Sequence, residues 1–283
     1  MEIKKVGVVG CGQMGGGITQ VCAQSGYPVV VSEANDGLLN KGLSFIDSVL
    51  ARSMQKEKIT SQDKDAVMAR IRGTTDTKEF GSCDLVIEAA TENLDLKKKI
   101  FTALDKICPE DTMLATNTSC LSIIDMAAAT QRPDKVLGLH FMNPVPVMQL
   151  LEIVRTIATS EETLEAGKSF GQSLGKTIVI AQDAPGFIVN RLLIPQLLNA
   201  IQMVDSGVAT REDIDTSMSL GLNHPMGPLT LADFIGLDTL LFIADGIYDE
   251  FKDGQYAAPT LLRKMVTAGW LGRKAGKGFY DYK

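Results

Sequence analysis

The hexapeptide Gly10-Cys11-Gly12-Gln13-Met14-Gly15 directly follows a strand-like run at 5–10 and opens a helix-like run that starts at 13. A GxGxxG pattern by itself is weak, but between a strand and a helix it dictates a tight turn whose glycines let a pyrophosphate approach the helix N-terminus. The free N–H groups and the dipole at that terminus favour an anion. Glu33 ends the next strand-like run, 28–33. Its carboxylate can accept hydrogen bonds from both hydroxyls of a ribose and would repel a 2′-phosphate. The start of the chain therefore predicts a dinucleotide site that takes NAD rather than NADP.

The alternation continues. Strand-like runs at 84–90 and 112–117 enclose a helix-like run from 95, and a helix-like run from 35 follows the second strand. Further strand-like runs at 135–141, 149–154 and 177–180 follow, with a helical pattern at 161–174 between the last two. Strands and helices in alternation imply a parallel sheet covered on both faces. Beyond Asp183-Ala184-Pro185-Gly186 the strand signal disappears, and helical patterns at 187–204, 211–220, up to 251 and at 259–268 take over. The expected architecture is α/β: a Rossmann-type, mostly parallel sheet domain over 1–185, followed by an all-helical C-terminal domain over 186–283. The first long helix of that domain is rich in Leu and Ile around its circumference. It is expected to bury more than one face, against its own domain and a second subunit in a homodimer or higher homo-oligomer.

A net charge of −6 argues against nucleic acid, because a phosphate backbone recruits Lys and Arg and here acids outnumber bases. Five cysteines, Cys11, Cys22, Cys83, Cys108 and Cys120, form no CxxC pair, so neither a metal site nor a disulfide framework is expected. Reduced thiols, no leader-like N-terminal segment and no apolar run near the ~18 residues of a membrane span lead to the expectation of a cytoplasmic protein without a membrane partner.

One of only two histidines, His140, ends the apolar run of Gly138-Leu139-His140-Phe141 and is followed by Met142-Asn143-Pro144. That is a strand's exit, where open α/β sheets place their chemistry. Glu152 lies within Leu150-Leu151-Glu152-Ile153-Val154, the next apolar strand. Two strands joined by the Asn143-Pro144-Val145-Pro146 turn can lie side by side and bring the carboxylate to the ring. A buried carboxylate needs a partner, and imidazole supplies one. The pair would orient the ring and stabilise its protonated form, so that His140 acts as a general base on a hydroxyl while hydride leaves the same carbon. These residues alone remain compatible with a hydroxyacid or sugar-acid dehydrogenase that uses no CoA. A non-catalytic NAD-binding structural protein also remains open, though it would leave the His140 and Glu152 set without a purpose.

Several further motifs occur in order: Glu88-Ala89-Ala90-Thr91-Glu92-Asn93, Asn117-Thr118-Ser119, His140 to Pro146, Pro185-Gly186-Phe187-Ile188-Val189-Asn190-Arg191, His224-Pro225-Met226-Gly227-Pro228 and Gly276-Lys277-Gly278-Phe279-Tyr280. With the glycine loop they span essentially the whole chain. In this combination the sequence resembles the short-chain L-3-hydroxyacyl-CoA dehydrogenases, most nearly those acting on 3-hydroxybutyryl-CoA in bacteria. The resemblance implies reversible NAD-dependent oxidation of (S)-3-hydroxyacyl-CoA to 3-oxoacyl-CoA, with a short acyl chain such as butyryl preferred, as in fatty acid and butyrate metabolism. It implies His140 as the catalytic base, Glu152 as its partner, Ser119 as hydrogen-bonding the reacting oxygen and Asn190 as holding the acyl group. It further implies that Glu92, Lys97, Asn117, Ser119, Asn143 and Lys274 join Gly10, Gly12, Gln13, Met14, Gly15 and Glu33 in contacting NAD. Lys56 and Arg52 are implied to meet the CoA phosphates.

Overall fold

The computed structural model describes residues 2–282. Eight strands form one sheet: β1 (Val6–Val9), β2 (Val29–Ser32), β3 (Ile71–Thr74), β4 (Leu85–Glu88), β5 (Met113–Thr116), β6 (Val136–Phe141), β7 (Leu150–Arg155) and β8 (Thr177–Gln182). Their spatial order is β3-β2-β1-β4-β5-β6-β7-β8. Every pairing is parallel except that of β6 with β7. The order reverses between β1 and β4, which is the crevice where open α/β sheets bind ligands outside the carboxyl ends of their strands.

β1, β2, β4 and β5 are buried at every position, as strands covered on both faces must be. The covering helices are α1 (Gln13–Gln24), α2 (Asp36–Gln55), α3 (Ser61–Ala69), α4 (Leu94–Ile107), α5 (Ile123–Ala127) and α6 (Glu161–Ser173). Alternate strand residues, including Val8, Val31, Ile87, Leu139 and Ile153, form one cluster with Ile18 of α1, Ile46 of α2 and Phe170 of α6. On the other face two glycines make room for large side chains. A Cβ on Gly7 would lie 2.7 Å from Phe80, and one on Gly138 would lie 2.5 Å from Ile123.

The sequence reading contains no strand between 33 and 84, yet β3 occupies the sheet edge beside β2. Its burial is broken at the exposed Arg72, so Ile71-Arg72-Gly73-Thr74 carries little of the apolar signal of an interior strand.

The chain divides into two compact units between Ala184 and Pro185. The second is built from α7 (Val189–Asp205), α8 (Arg211–Gly221), α9 (Pro228–Ile235), α10 (Leu237–Phe251) and α11 (Thr260–Thr267). α7 starts two residues later than the apolar pattern predicts. Gly186 (φ +79°) and Phe187 (φ +45°) both take the left-handed conformation, which a right-handed helix cannot include. Two buried carboxylates organise the unit. Asp215 accepts from the Leu229 and Thr230 amides at 2.7 and 2.9 Å, and Asp233 of α9 accepts from the Phe279 and Tyr280 amides at 2.9 Å each. Charge-assisted bonds of this kind tie the C-terminal segment to α9. Among the described residues no helix is long and apolar enough to cross a membrane.

Candidate active site

The carboxyl ends of β1, β4, β5 and β6 share one edge of the sheet, and each feeds a motif singled out in the sequence. After β1, Gly10 takes φ +96°, a conformation closed to most side chains. A Cβ on Gly15 would stand 2.0 Å from the Gly10 carbonyl oxygen, so the turn requires glycine there. At Gly12 the reverse holds: a Cβ would meet nothing within 4 Å, and the position is exposed. Gly12 is the N-cap of α1, with no capping side chain and no acid in the first turn. Its N–H groups and positive dipole end are thus left for an external anion, and the loop fits a dinucleotide pyrophosphate. Met14 packs partly buried against the core.

Glu33, just past β2, reaches back over this loop. Its Oε1 accepts from the Cys11 amide at 2.8 Å and its Oε2 from the Ala34 amide at 3.1 Å. Gln13 donates through Nε2 to Asn143 Oδ1 at 3.2 Å, linking the glycine loop to the turn after β6. The Asn143-Pro144 peptide in that turn is cis. Buried Lys176 closes the turn by donating to the carbonyls of Val145 (2.6 Å) and Met148 (2.8 Å), and burial holds its ammonium pKa below the usual lysine value.

His140 and Glu152 stand directly opposite each other in the antiparallel register of β6 and β7. Opposite residues project to the same face of a sheet, so the pairing follows from the register. His140 Nδ1 lies 2.6 Å from Glu152 Oε2, with 6% and 0% exposure respectively. A carboxylate accepts from Nδ1–H, which leaves the lone pair of the neutral ring on Nε2. The arrangement can take up a proton at Nε2 and share the resulting positive charge with a buried anion.

The loops after β4 and β5 meet beside it. Asn117 accepts the Phe141 amide through Oδ1 at 2.9 Å and so locks the ends of β5 and β6 together. Ser119 donates its amide to Glu92 Oε1 at 3.1 Å, and the Thr118 hydroxyl donates to the same oxygen. α5 has Ser122 at its N-cap without a side-chain cap bond; instead Asp183, sixty residues away from Ile123 in sequence, accepts from the Ile123 and Ile124 amides at 3.1 and 2.7 Å. Burial pushes the thiols of Cys11 and Cys120 up to about 11 and about 12, which favours their protonated form near neutral pH.

Lys97 is 1% exposed and turns its ammonium inward to Glu88 and Glu92. Arg52 and Lys56 are exposed at the C-terminal end of α2. Within the second unit, Asn190 is half-buried in the first turn of α7, and Lys274 pairs with Asp238 at 2.6 Å. Glu88 was missed as a site residue. It is an acid closing the apolar strand Leu85-Val86-Ile87-Glu88 and is completely buried. Its signal was the one that marked Glu152, a carboxylate inside an apolar run.

Comparison with known proteins matches this arrangement across both units. Residues 5–184 match the family model of the 3-hydroxyacyl-CoA dehydrogenase NAD binding domain, and residues 186–282 match that of the 3-hydroxyacyl-CoA dehydrogenase C-terminal domain. A probable 3-hydroxybutyryl-CoA dehydrogenase of Bacillus subtilis is 48% identical over 283 residues, covering 100% of this chain and 99% of its own. A 3-hydroxybutyryl-CoA dehydrogenase of Bradyrhizobium diazoefficiens is 46% identical, covering 99% of this chain and 96% of its own. The crystal structure of (S)-3-hydroxybutyryl-CoA dehydrogenase from Ralstonia eutropha superposes with a TM-score of 0.96 at 46% identity, covering 100% of both chains. With both family domains matched in order and full-length relatives near half identity, the chain belongs to the 3-hydroxyacyl-CoA dehydrogenase family.

Proposed function

We propose that this protein catalyses the reversible NAD-dependent oxidation of (S)-3-hydroxybutyryl-CoA, and of similarly short 3-hydroxyacyl-CoA esters, to acetoacetyl-CoA and its analogues. The observation that carries the reading is the 2.6 Å contact of His140 with the buried Glu152 at the exit of β6, on the sheet edge that also carries the glycine loop. His140 Nε2 takes the proton of the 3-hydroxyl, and Glu152 fixes the ring and offsets its gained charge. Ser119 donates a hydrogen bond to the reacting oxygen, and Asn190 bonds the acyl group on the strength of its motif alone. NAD, when bound, supplies the acceptor for the hydride that leaves C3. Gly10, Gly12, Gln13, Met14 and Gly15 hold its pyrophosphate side and Glu33 its ribose. Asn117, Asn143, Glu92 and Lys274 line its nicotinamide side in this reading, while Arg52 and Lys56 meet the CoA phosphates. Residues 1–185 thus serve as the NAD-binding domain and 186–283 as the substrate-binding and dimerisation domain.

The direct test is oxidation of NADH followed at 340 nm (the absorbance of reduced nicotinamide) with acetoacetyl-CoA as substrate. No turnover with acetoacetyl-CoA, alongside turnover of a free 3-oxoacid, would replace this reading by a dehydrogenase that uses no CoA.

Two further expectations belong to it. The Glu33 carboxylate, held in place by the Cys11 and Ala34 amides, occupies the position a 2′-phosphate would approach. kcat/KM with NADPH is therefore expected to fall at least about tenfold below that with NADH, since roughly 1.4 kcal/mol of repulsion suffices for a decade. Equal values would remove Glu33 from cofactor choice. The helical unit exposes Leu192 (73%), Leu220 (82%) and Leu222 (63%), apolar area of a kind that a partner covers. Light scattering at micromolar concentration is expected to give at least twice the 30.5 kDa of one chain. A monomer mass would refute the homodimer. Buried free thiols fit a reducing, cytoplasmic setting.

A further inference from the structure

Three carboxylate oxygens surround the Lys97 ammonium beneath the loops after β4 and β5. Both Glu88 oxygens lie at 2.8 Å and Glu92 Oε2 at 3.1 Å, with the Ala90 carbonyl at 3.4 Å. An ammonium has three N–H bonds, and this one is 1% exposed, so the inward partners use all of its donors. A direct bond from Lys97 to a cofactor has no donor left to make it.

What the ammonium does hold is Glu92. One oxygen of that carboxylate faces Lys97, and the other accepts the Ser119 amide and the Thr118 hydroxyl. Glu88 forms the base of the assembly, accepting in addition from the Ala90 amide and the Thr116 hydroxyl at 2.7 Å each. The chain of bonds therefore runs from the end of β4, through the lysine, to the backbone of Ser119. The Glu92 side chain is 27% exposed, so without the ammonium its carboxylate can turn to water and release that backbone. On the far side the Asp183 bonds to Ile123 and Ile124 stay in place, so only the Ser119 end of the segment is freed.

We propose that Lys97, seated on Glu88, is a positioning residue that holds Glu92 in the orientation fixing the Ser119 backbone, and thereby sets where the Ser119 hydroxyl meets the reacting oxygen. This rests on the role given to Ser119 above.

The test pairs hydrogen exchange with kinetics. The paired substitution Glu88→Gln with Lys97→Met removes both buried charges at nearly constant volume. Glu92→Ala serves as a second variant, because it leaves the Glu88–Lys97 pair whole. Both are expected to speed exchange of the Ser119 amide by about tenfold or more in the intact protein. Both should lower kcat by about ten- to a hundredfold, the effect of a small misplacement of a reacting partner, and in the paired variant KM for NADH should change less than about twofold. In a Ser119→Ala background neither should lower kcat further.

Unchanged Ser119 exchange in both variants would overturn the proposal whatever happens to activity. A raised KM for NADH at constant kcat in the paired variant would do so as well, by assigning Lys97 to the cofactor, and so would losses that multiply with that of Ser119→Ala. If Ser119→Ala alone leaves kcat intact while exchange accelerates as expected, the role given to Ser119 fails and the link from Lys97 to its backbone stands.

Discussion

His140→Gln is expected to lower kcat by roughly two to four decades, the usual worth of a general acid–base group, while NADH binding stays nearly intact. Glutamine keeps much of the size and polarity of the ring but cannot take a proton at neutral pH. The glycine loop and Glu33 lie on other strands and are untouched by the change. Glu152→Gln should also lower kcat, because the amide cannot balance a positive imidazole across the 2.6 Å contact. The two losses should not add, since a carboxylate that works only through the imidazole has nothing to support once the ring is gone. Steady-state rates with acetoacetyl-CoA and with (S)-3-hydroxybutyryl-CoA decide the matter. Wild-type activity in His140→Gln ends the mechanism, and a double variant whose loss equals the sum of the singles in log kcat shows Glu152 acting by itself.

Lys97→Met alone should destabilise the protein by about 3–5 kcal/mol, as removal of one partner from a buried ion pair does, because Glu88 is then left as an uncompensated charge. Glu88 is completely buried and keeps only the Ala90 amide and the Thr116 hydroxyl as neutral donors. Adding Glu88→Gln should restore most of the loss, since an amide and a thioether in the same space leave no charge to solvate. Urea unfolding of the three proteins followed by circular dichroism measures this. A loss under about 1 kcal/mol in the single variant would mean that water reaches Glu88 and that the pair contributes little.

Much of the molecule is legible in the sequence wherever the decisive contacts are local. Gly10 to Gly15 needs only a strand before it and a helix after it, and the structure holds Gly15 against the Gly10 carbonyl as such a turn demands. His140 and Glu152 are twelve residues apart on strands joined by one short turn, so antiparallel pairing and the two-residue period of a strand suffice to bring them together. The shift from alternating strands and helices to helices alone, across Pro185-Gly186, is equally visible.

The rest required the sheet to assemble. β4 lies between β1 and β5, and this order, which no local pattern specifies, lets Glu88 meet Thr116 and Glu92 meet Ser119. Asn117 reaches the Phe141 amide 24 residues on, and Asp183 caps α5 from sixty residues away. Lys97 shows the difference most directly. In sequence it is one of three consecutive lysines on an amphipathic helix, and only the burial of α4 against the strands turns one of them inward while its neighbours stay at the surface. Sequence by itself determined the residues whose partners lie one turn or one strand away. Tertiary structure decided the partners of the buried charges, because a carboxylate removed from water is satisfied by whatever donor the folded sheet brings within about 3 Å, at any distance along the chain.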